Sequence, residues 1–202
     1  MIELVSWYTQ DTSYEQVFKD YFLASCKEND LQCNLYIVEP TGNWQKNTNL
    51  KPNVAKRALT DLKADILLID ADAKIYSHPQ LLEDLPQEYD MAVFYLDWGS
   101  WYGHSHGKKE LCSGTLFFRN RPVCLDVINA WDELAKENKY PDQRLLEMVL
   151  KNFSNVNVYE LPIEYCWINS TPGWKPPIVP RPEHVVIEHF QASRKLRNKR
   201  GN

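Results

Sequence analysis

Five cysteines are scattered through the 202 residues (Cys26, Cys33, Cys112, Cys124, Cys166) with no CxxC pair among them. No regular disulfide framework is therefore written here, and reduced thiols are expected. No stretch approaches eighteen consecutive apolar residues, which excludes a membrane-spanning helix. The opening Met1-Ile2-Glu3-Leu4-Val5-Ser6-Trp7 lacks both the basic and the long apolar regions of an export signal, so a cytoplasmic location is expected. Without that signal, the glycosylation-type triplets Asn152-Phe153-Ser154 and Asn169-Ser170-Thr171 carry little weight. Positive charge is not in surplus either. The net charge of −4 gives no reason to expect nucleic acid as a partner. The local exception is Arg194, Lys195, Arg197, Lys199 and Arg200 near the C-terminus. Such a cluster suits phosphate, a weak contact with an anionic membrane surface, or a solvated tail over 196–202.

Repeats and low-complexity segments are also missing, and 44% of the residues are hydrophobic, enough for one substantial core over residues 1–202. Ile2 to Tyr8 reads as a strand. Asp11-Thr12-Ser13 then caps a helix with Val17, Tyr21, Phe22 and Cys26 at helical spacing. Asn34 to Val38 is a second strand, closed by a turn-rich loop carrying Trp44. Pro52-Asn53 opens a second helix, which leads to the run Ile66-Leu67-Leu68-Ile69. Four branched aliphatics without polar alternation fit a parallel strand covered on both faces. This βαβαβ order implies a parallel sheet. Further on, Met91 to Leu96, Thr115 to Phe118, Val156 to Leu161 and Val185 to Ile187 read as strands. Helices are expected from Pro122 and from Pro141-Asp142, and a Pro-rich surface loop over 169–182.

The most informative stretch is Asp70-Ala71-Asp72, directly after the buried strand. In an extended chain residues i and i+2 share a face, so both carboxylates can converge on one hard cation beyond the strand's carboxyl end. A divalent cation there would neutralise the charge that builds on a departing diphosphate. His189, at the end of the last strand, is a candidate third ligand if that end faces the pair, with Lys195 or Arg194 left for the diphosphate. Asp142 opens a helix, and capping and function weigh equally for it. Gly114 is either a bend or a place where a ligand's sugar approaches the backbone. Lys51 and Lys56 flank a helix start, positions suited to phosphate or to plain solvation. Trp98, Trp101 and Tyr102, set among Gly99, Gly103 and Gly107, read as a satellite apolar cluster or as a mobile lid that stacks on sugar. His104-x-His106 has no third ligand nearby and is taken as loop polarity.

Taken in order, Lys51-Pro52, Ile66 to Asp72, Ser113-Gly114-Thr115, Asp142-Gln143, Leu161-Pro162 and His189 resemble the metal-dependent GT-A glycosyltransferases, in particular the small nucleotide-diphospho-sugar transferases. The resemblance runs over nearly the whole chain. It implies an α/β fold with a mixed, mostly parallel central sheet flanked by helices and a Rossmann-like N-terminal half. Residues 1–72 would form the nucleotide-binding half and 73–195 the half for acceptor and donor sugar. It further implies that Asp70, Asp72 and His189 bind Mn²⁺ or Mg²⁺, and that Thr9, Lys51 and Asp70 face the nucleotide. Ser113 and Gly114 would face the donor sugar, Asp142 and Gln143 the reacting centre, and Lys195 the phosphate, although the segment before Lys195 lacks the Gly-Pro element frequent in the family. The implied reaction moves a sugar from a nucleotide-diphosphate donor, UDP-linked, to a hydroxyl of a glycan, protein or small molecule. Retention is implied by resemblance, and inversion stays open if Asp142 acts as a base. Two alternatives stand beside it. A sugar-phosphate nucleotidyltransferase would need a Gly-rich phosphate loop that Trp7 to Asp11 does not offer. A non-catalytic carbohydrate-binding module has no need of Asp70, Asp72, His189 and Asp142 together.

Overall fold

The computed structural model of the chain describes residues 2–104, 107–137, 139–170 and 176–198. Strand β1 (Ile2–Thr9) turns into α1 (Tyr14–Phe18), which runs through a π-helical turn (Lys19–Leu23) into α2 (Ala24–Glu28). The turn is tied by Thr12, whose hydroxyl donates to the Thr9 carbonyl at 2.7 Å. After β2 (Asn34–Val38), the stretch read as a loop contains a short helix, α3 (Trp44–Thr48). Asn43 starts it by accepting the Lys46 N–H through Oδ1 at 2.9 Å. Next come α4 (Lys51–Leu62), with proline in its first turn, and β3 (Asp65–Asp70). The second half comprises β4 (Ala73–Ile75), α5 (Gln80–Glu83), β5 (Met91–Asp97), α6 (Trp98–Tyr102), β6 (Lys109–Phe118), α7 (Pro122–Lys136), α8 (Asp142–Leu150) and β7 (Val158–Glu160). It closes with β8 (Trp167–Ile168), β9 (Ile187–His189) and α9 (Ala192–Asn198).

The main sheet has the order β2-β1-β3-β6-β5-β7. The β2–β1, β1–β3 and β5–β7 pairs are parallel, while β6 runs antiparallel to both β3 and β5. The sheet is therefore mixed with parallel pairs in the majority, as expected. Pairing sets Trp7 beside Asp70 and Thr9 beside Val38, so the carboxyl ends of β1, β2 and β3 form one edge. Alternate residues of β3 feed two apolar layers. Ile66 and Leu68 pack with Val54, Leu59, Trp131 and Leu146 of the helices on one face. Leu67 and Ile69 pack with Phe22, Phe117 and Ile187 on the other. Burial of each such side chain is worth about 1.5–3 kcal/mol, and together they hold the Asp70 end of the strand rigid.

A second sheet, β4-β9-β8, lies beyond the Asp70–Asp72 turn, with Ala73 and Ile168 both in register with His189. The final strand was expected at Val185 to Ile187 and starts two residues later. Val186 is hydrogen bonded, its N–H to the Glu164 carbonyl and its own carbonyl to the Tyr76 N–H, but the ladder proper begins at Ile187. The aromatic stretch after β5 contains a helical turn and packs into the core, as the apolar-cluster reading expects. Asp97 caps α6 by accepting from Gly99 N–H at 2.8 Å and from the Ser100 hydroxyl at 2.9 Å. Trp101 and Tyr102 are buried, and the Trp101 ring lies 5.1 Å from Trp167 and 6.1 Å, edge-on, from Phe94. His106 lies outside the described residues. No described helix is long and apolar enough to cross a membrane.

Candidate functional site

The carboxyl edge of β1 and β3 opens into a cleft of about 570 Å³ whose walls include Thr9, Lys51, Asp70, Asp72, Ser113, Gly114, Asp142, Gln143 and His189. Ser193, Arg194 and Leu196 of α9 line it as well. Lys195 belongs to the same helix, its side chain outside what is described. The cleft therefore gathers the other residues that the resemblance assigned to ligand, metal or chemistry, while Lys56, Trp98, Trp101 and Tyr102 do not line it.

β3 ends at Asp70, and the turn that follows sets Asp72 against the small sheet. There Asp72 is fastened on both sides: its carbonyl accepts the Phe190 N–H at 2.9 Å and its Oδ2 accepts the Ala192 N–H at 2.7 Å. That anchor coincides with a sharp bend, since Gln191 adopts a left-handed backbone with φ of 55°. His189 is buried, with Nδ1 3.9 Å from Asp72 Oδ1 and Nε2 2.8 Å from the Thr115 hydroxyl. A metal ion on the carboxylate side would be met by Nδ1 of a neutral imidazole whose proton sits on Nε2, toward Thr115. Among the described residues, Asp70, Asp72 and His189 can bring one ligand atom each within 4.8 Å of one another. Two carboxylates and an imidazole are a donor set that fits Mn²⁺ or Mg²⁺.

The environments of the two acids differ. Burial pushes the Asp70 carboxyl above the ordinary carboxylate range; Lys51 opposes this, and the neighbouring Asp72 and Asp142 charges add to it. Burial would raise Asp72 too, but its contact with His189 and the Ala192 N–H outweigh that and hold it below the usual range. Asp72 thus stays ionised under conditions in which Asp70 begins to take a proton.

Lys51 occupies a place that sequence reasoning did not foresee. It is neither solvated nor a free phosphate hook. The residue is only 3% exposed, and its ammonium lies 2.8 Å from Asp70 Oδ1 and 3.0 Å from Asp142 Oδ2. It also donates to the Ser113 carbonyl at 3.0 Å and the Ser113 hydroxyl at 3.1 Å. Burial alone would drive its pKa down, but the Asp142 and Asp70 charges prevail and raise it, so the side chain stays a cation. The Ser113 hydroxyl donates to Asp142 Oδ2 at 2.6 Å. Asp142 is thus not a helix cap. Pro141 takes the N-cap position with no side-chain bond, while the Asp142 carboxylate turns to Lys51 and Ser113. Its carbonyl accepts the indole N–H of the fully buried Trp131 at 2.9 Å. Three carboxylates, Asp70, Asp72 and Asp142, face Lys51 and the Arg194 of α9 in the cleft, so acidic side chains outnumber the fixed cations lining it.

Gly114 lines the cleft, and its backbone is also approached closely from within the protein. A Cβ there would fall 2.8 Å from His189 Cε1 and 3.0 Å from its Nδ1, so what approaches this backbone closely is the imidazole. Two further residues had no role assigned from the sequence, Thr115 although it was quoted in a motif and Glu110 without being singled out. Thr115 stands next to Ile69 in the β3–β6 register and holds His189. Glu110, near the start of β6, accepts Gln143 Nε2–H at 2.6 Å and the Trp98 indole N–H at 2.8 Å.

No family model matches the chain, and no curated protein matches it in sequence. Solved structures do match its shape. A glycosyltransferase involved in the glycosylation of the major capsid of PBCV-1 superimposes with a TM-score of 0.68 at 15% identity, covering 98% of both chains. Mouse xyloside xylosyltransferase 1 in its apo form gives 0.59 at 9% identity over 95% of this chain and 98% of its own. The galactosyltransferase LgtC, solved with donor and acceptor sugar analogs, gives 0.56 at 11% identity over 94% of this chain and 87% of its own. At such low identities the likeness speaks for the path of the backbone, and on that ground this chain has the GT-A glycosyltransferase fold.

Proposed function

We propose that this chain is a metal-dependent glycosyltransferase that moves a sugar from a UDP-linked donor to an acceptor hydroxyl with retention of the anomeric configuration. One observation carries the reading: Asp70, Asp72 and His189 converge at the carboxyl edge of the sheet, inside the same cleft as Lys51, Ser113, Asp142 and Gln143. The fold shared with xylosyl- and galactosyltransferases supports sugar transfer as the reaction class. A Mn²⁺ or Mg²⁺ ion held by the three ligands would supply neutralisation of the charge that grows on the diphosphate as the sugar–phosphate bond breaks.

The chain's own residues do the rest. Residues 1–72 hold the nucleotide, with Thr9 and Asp70 at the edge of β1 and β3, and residues 73–195 hold the two sugars. Lys51 fixes Asp70 and Asp142 relative to each other, which keeps ligand and reacting centre in one frame. The Asp142 Oδ2 already accepts from Lys51 and Ser113. That suits the carboxylate to steadying positive charge at the sugar rather than to removing a proton, and favours retention, with the acceptor proton leaving on the departing phosphate oxygen. The phosphate role of Lys195 rests on resemblance.

The test is proton NMR of a panel of UDP-sugars incubated with the protein and Mn²⁺, with and without simple sugar acceptors. Release of UDP together with a product of the donor's own anomeric configuration is expected. A product of opposite configuration would make Asp142 a base and the reaction inverting, and no release from any donor would overturn the transferase reading.

A further inference from the structure

The side chain of Gln143 can face the cleft in two ways that differ chemically. Its amide presents either a carbonyl oxygen, which is electron-rich, or an NH₂ group, which carries positive hydrogens. Near a sugar carbon that becomes positive as its bond to phosphate breaks, the first stabilises and the second repels. An amide is close to symmetric in shape, so packing alone does not choose between them. Glu110 makes the choice. An ionised carboxylate accepts hydrogen bonds and donates none, so the 2.6 Å contact between Glu110 Oε1 and the Gln143 amide fixes Nε2 on the Glu110 side. No described residue bonds the Gln143 oxygen. Glu110 is held in turn: its other oxygen accepts the Trp98 indole N–H at 2.8 Å, and Trp98 opens a helix capped by Asp97. The two carboxylate oxygens are thus committed to two donors from two different elements, one on α8 and one on α6.

Resting on the transferase reading above, we propose that Glu110 is a positioning residue for transfer: by taking Nε2–H of Gln143 it presents the amide oxygen to the anomeric carbon of the donor, and Trp98 locks it in that task. In the step it serves, the electron pair of the sugar–phosphate bond leaves with UDP. The acceptor oxygen bonds to the same carbon, and the acceptor's proton passes to the phosphate oxygen that has just been freed. The Gln143 oxygen forms no bond throughout; it faces the positive carbon and lowers its energy. The segment around Trp98 then acts on the chemistry through Glu110, not by stacking on sugar.

The test compares Glu110→Gln, Gln143→Glu and the exchange of both, E110Q/Q143E. In Glu110→Gln the Trp98 indole N–H claims the oxygen of the new amide, whose NH₂ then faces Gln143 and favours the opposite orientation of its amide. The kcat for UDP-glucose or UDP-galactose turnover, to an acceptor or to water, should fall about tenfold, the equivalent of roughly 1.4 kcal/mol. The Kd of UDP with Mn²⁺ and the unfolding midpoint should hold. Gln143→Glu sets two carboxylates face to face and should lose more. The exchange restores one donor–acceptor pair with an electron-rich oxygen toward the cleft, and should regain most of the kcat. A second readout does not depend on turnover: in the ¹⁵N spectrum, the Gln143 side-chain amide should show one strongly downfield proton that moves upfield in Glu110→Gln. If kcat and the amide resonance are both untouched by Glu110→Gln, the proposal is wrong. If UDP affinity and stability fall together with kcat and the exchange recovers none of them, Glu110 is structural only. If the amide proton behaves as described while the wild type turns over no UDP-sugar, the transferase reading fails and the proposed role in transfer with it, leaving the hydrogen bond alone established.

Discussion

At Gly114 the missing side chain is what allows His189 to sit where it does. The space a Cβ would need is filled by the imidazole, 2.8 Å away at Cε1, and that ring has no room to retreat because Thr115 holds its far nitrogen. Gly114→Ala should therefore act on the metal site rather than on backbone freedom. Overpacking of this kind costs about 1–3 kcal/mol, and a displaced ligand with a broken outer-shell bond weakens metal affinity on the order of tenfold. Urea unfolding and Mn²⁺ titration would read the two effects separately. Unchanged Mn²⁺ affinity in a fully stable variant would mean that His189 is not a ligand. Gly114 was conspicuous in the sequence as a residue able to approach something closely. That the something was His189, 75 residues further along, is a fact of the β3–β6 and β4–β9 registers that no local pattern carries.

Most elements of the first half were legible because each has its own local cause. β3 is an unbroken aliphatic run, and β2 has the boundaries its pattern gives. α3 went unseen because its start depends on one capping asparagine rather than on apolar periodicity. The last strand was misplaced by two residues because Val185 and Val186 share its composition, yet Val186 hydrogen bonds to Glu164 and Tyr76 outside the ladder. α6 shows the same limit. Glycines on either side of aromatic residues suggest a hinge, but Asp97 caps a helical turn there and buries Trp101 against Trp167 and Phe94. Trp101→Ala should consequently lower stability by about 3–5 kcal/mol, the usual loss for a large aromatic removed from a core. At temperatures where the variant is folded, its affinity for UDP should match the wild type. A denaturant melt is the check: a loss under about 1 kcal/mol would free Trp101 from the core and revive a gating role.

Across the whole molecule, the fold's contribution is to bring distant charges into one cleft. Asp70 and Asp72 announced themselves in the sequence by standing after a buried strand. The clamp of Lys51 between Asp70 and Asp142 did not, because it joins the starts of α4 and α8 to the end of β3, and only the packed sheet brings those three places together. An excess of negative charge around a raised Asp70 and a lowered Asp72 makes proton and metal competitors for the same site. Because the Asp70 pKa lies above its ordinary value, it takes up its proton earlier as the pH falls than a free aspartate would, and metal affinity should begin to drop there, before Asp72 is neutralised. The most direct test of the account is calorimetric titration of UDP into the protein with Mn²⁺, for wild type and Asp72→Asn, at about pH 7 and again at about pH 5. The account predicts UDP binding that needs Mn²⁺, disappears with excess EDTA, weakens at the lower pH and is lost in Asp72→Asn while the variant stays folded. UDP binding of equal strength in the variant, or with EDTA present, would contradict it.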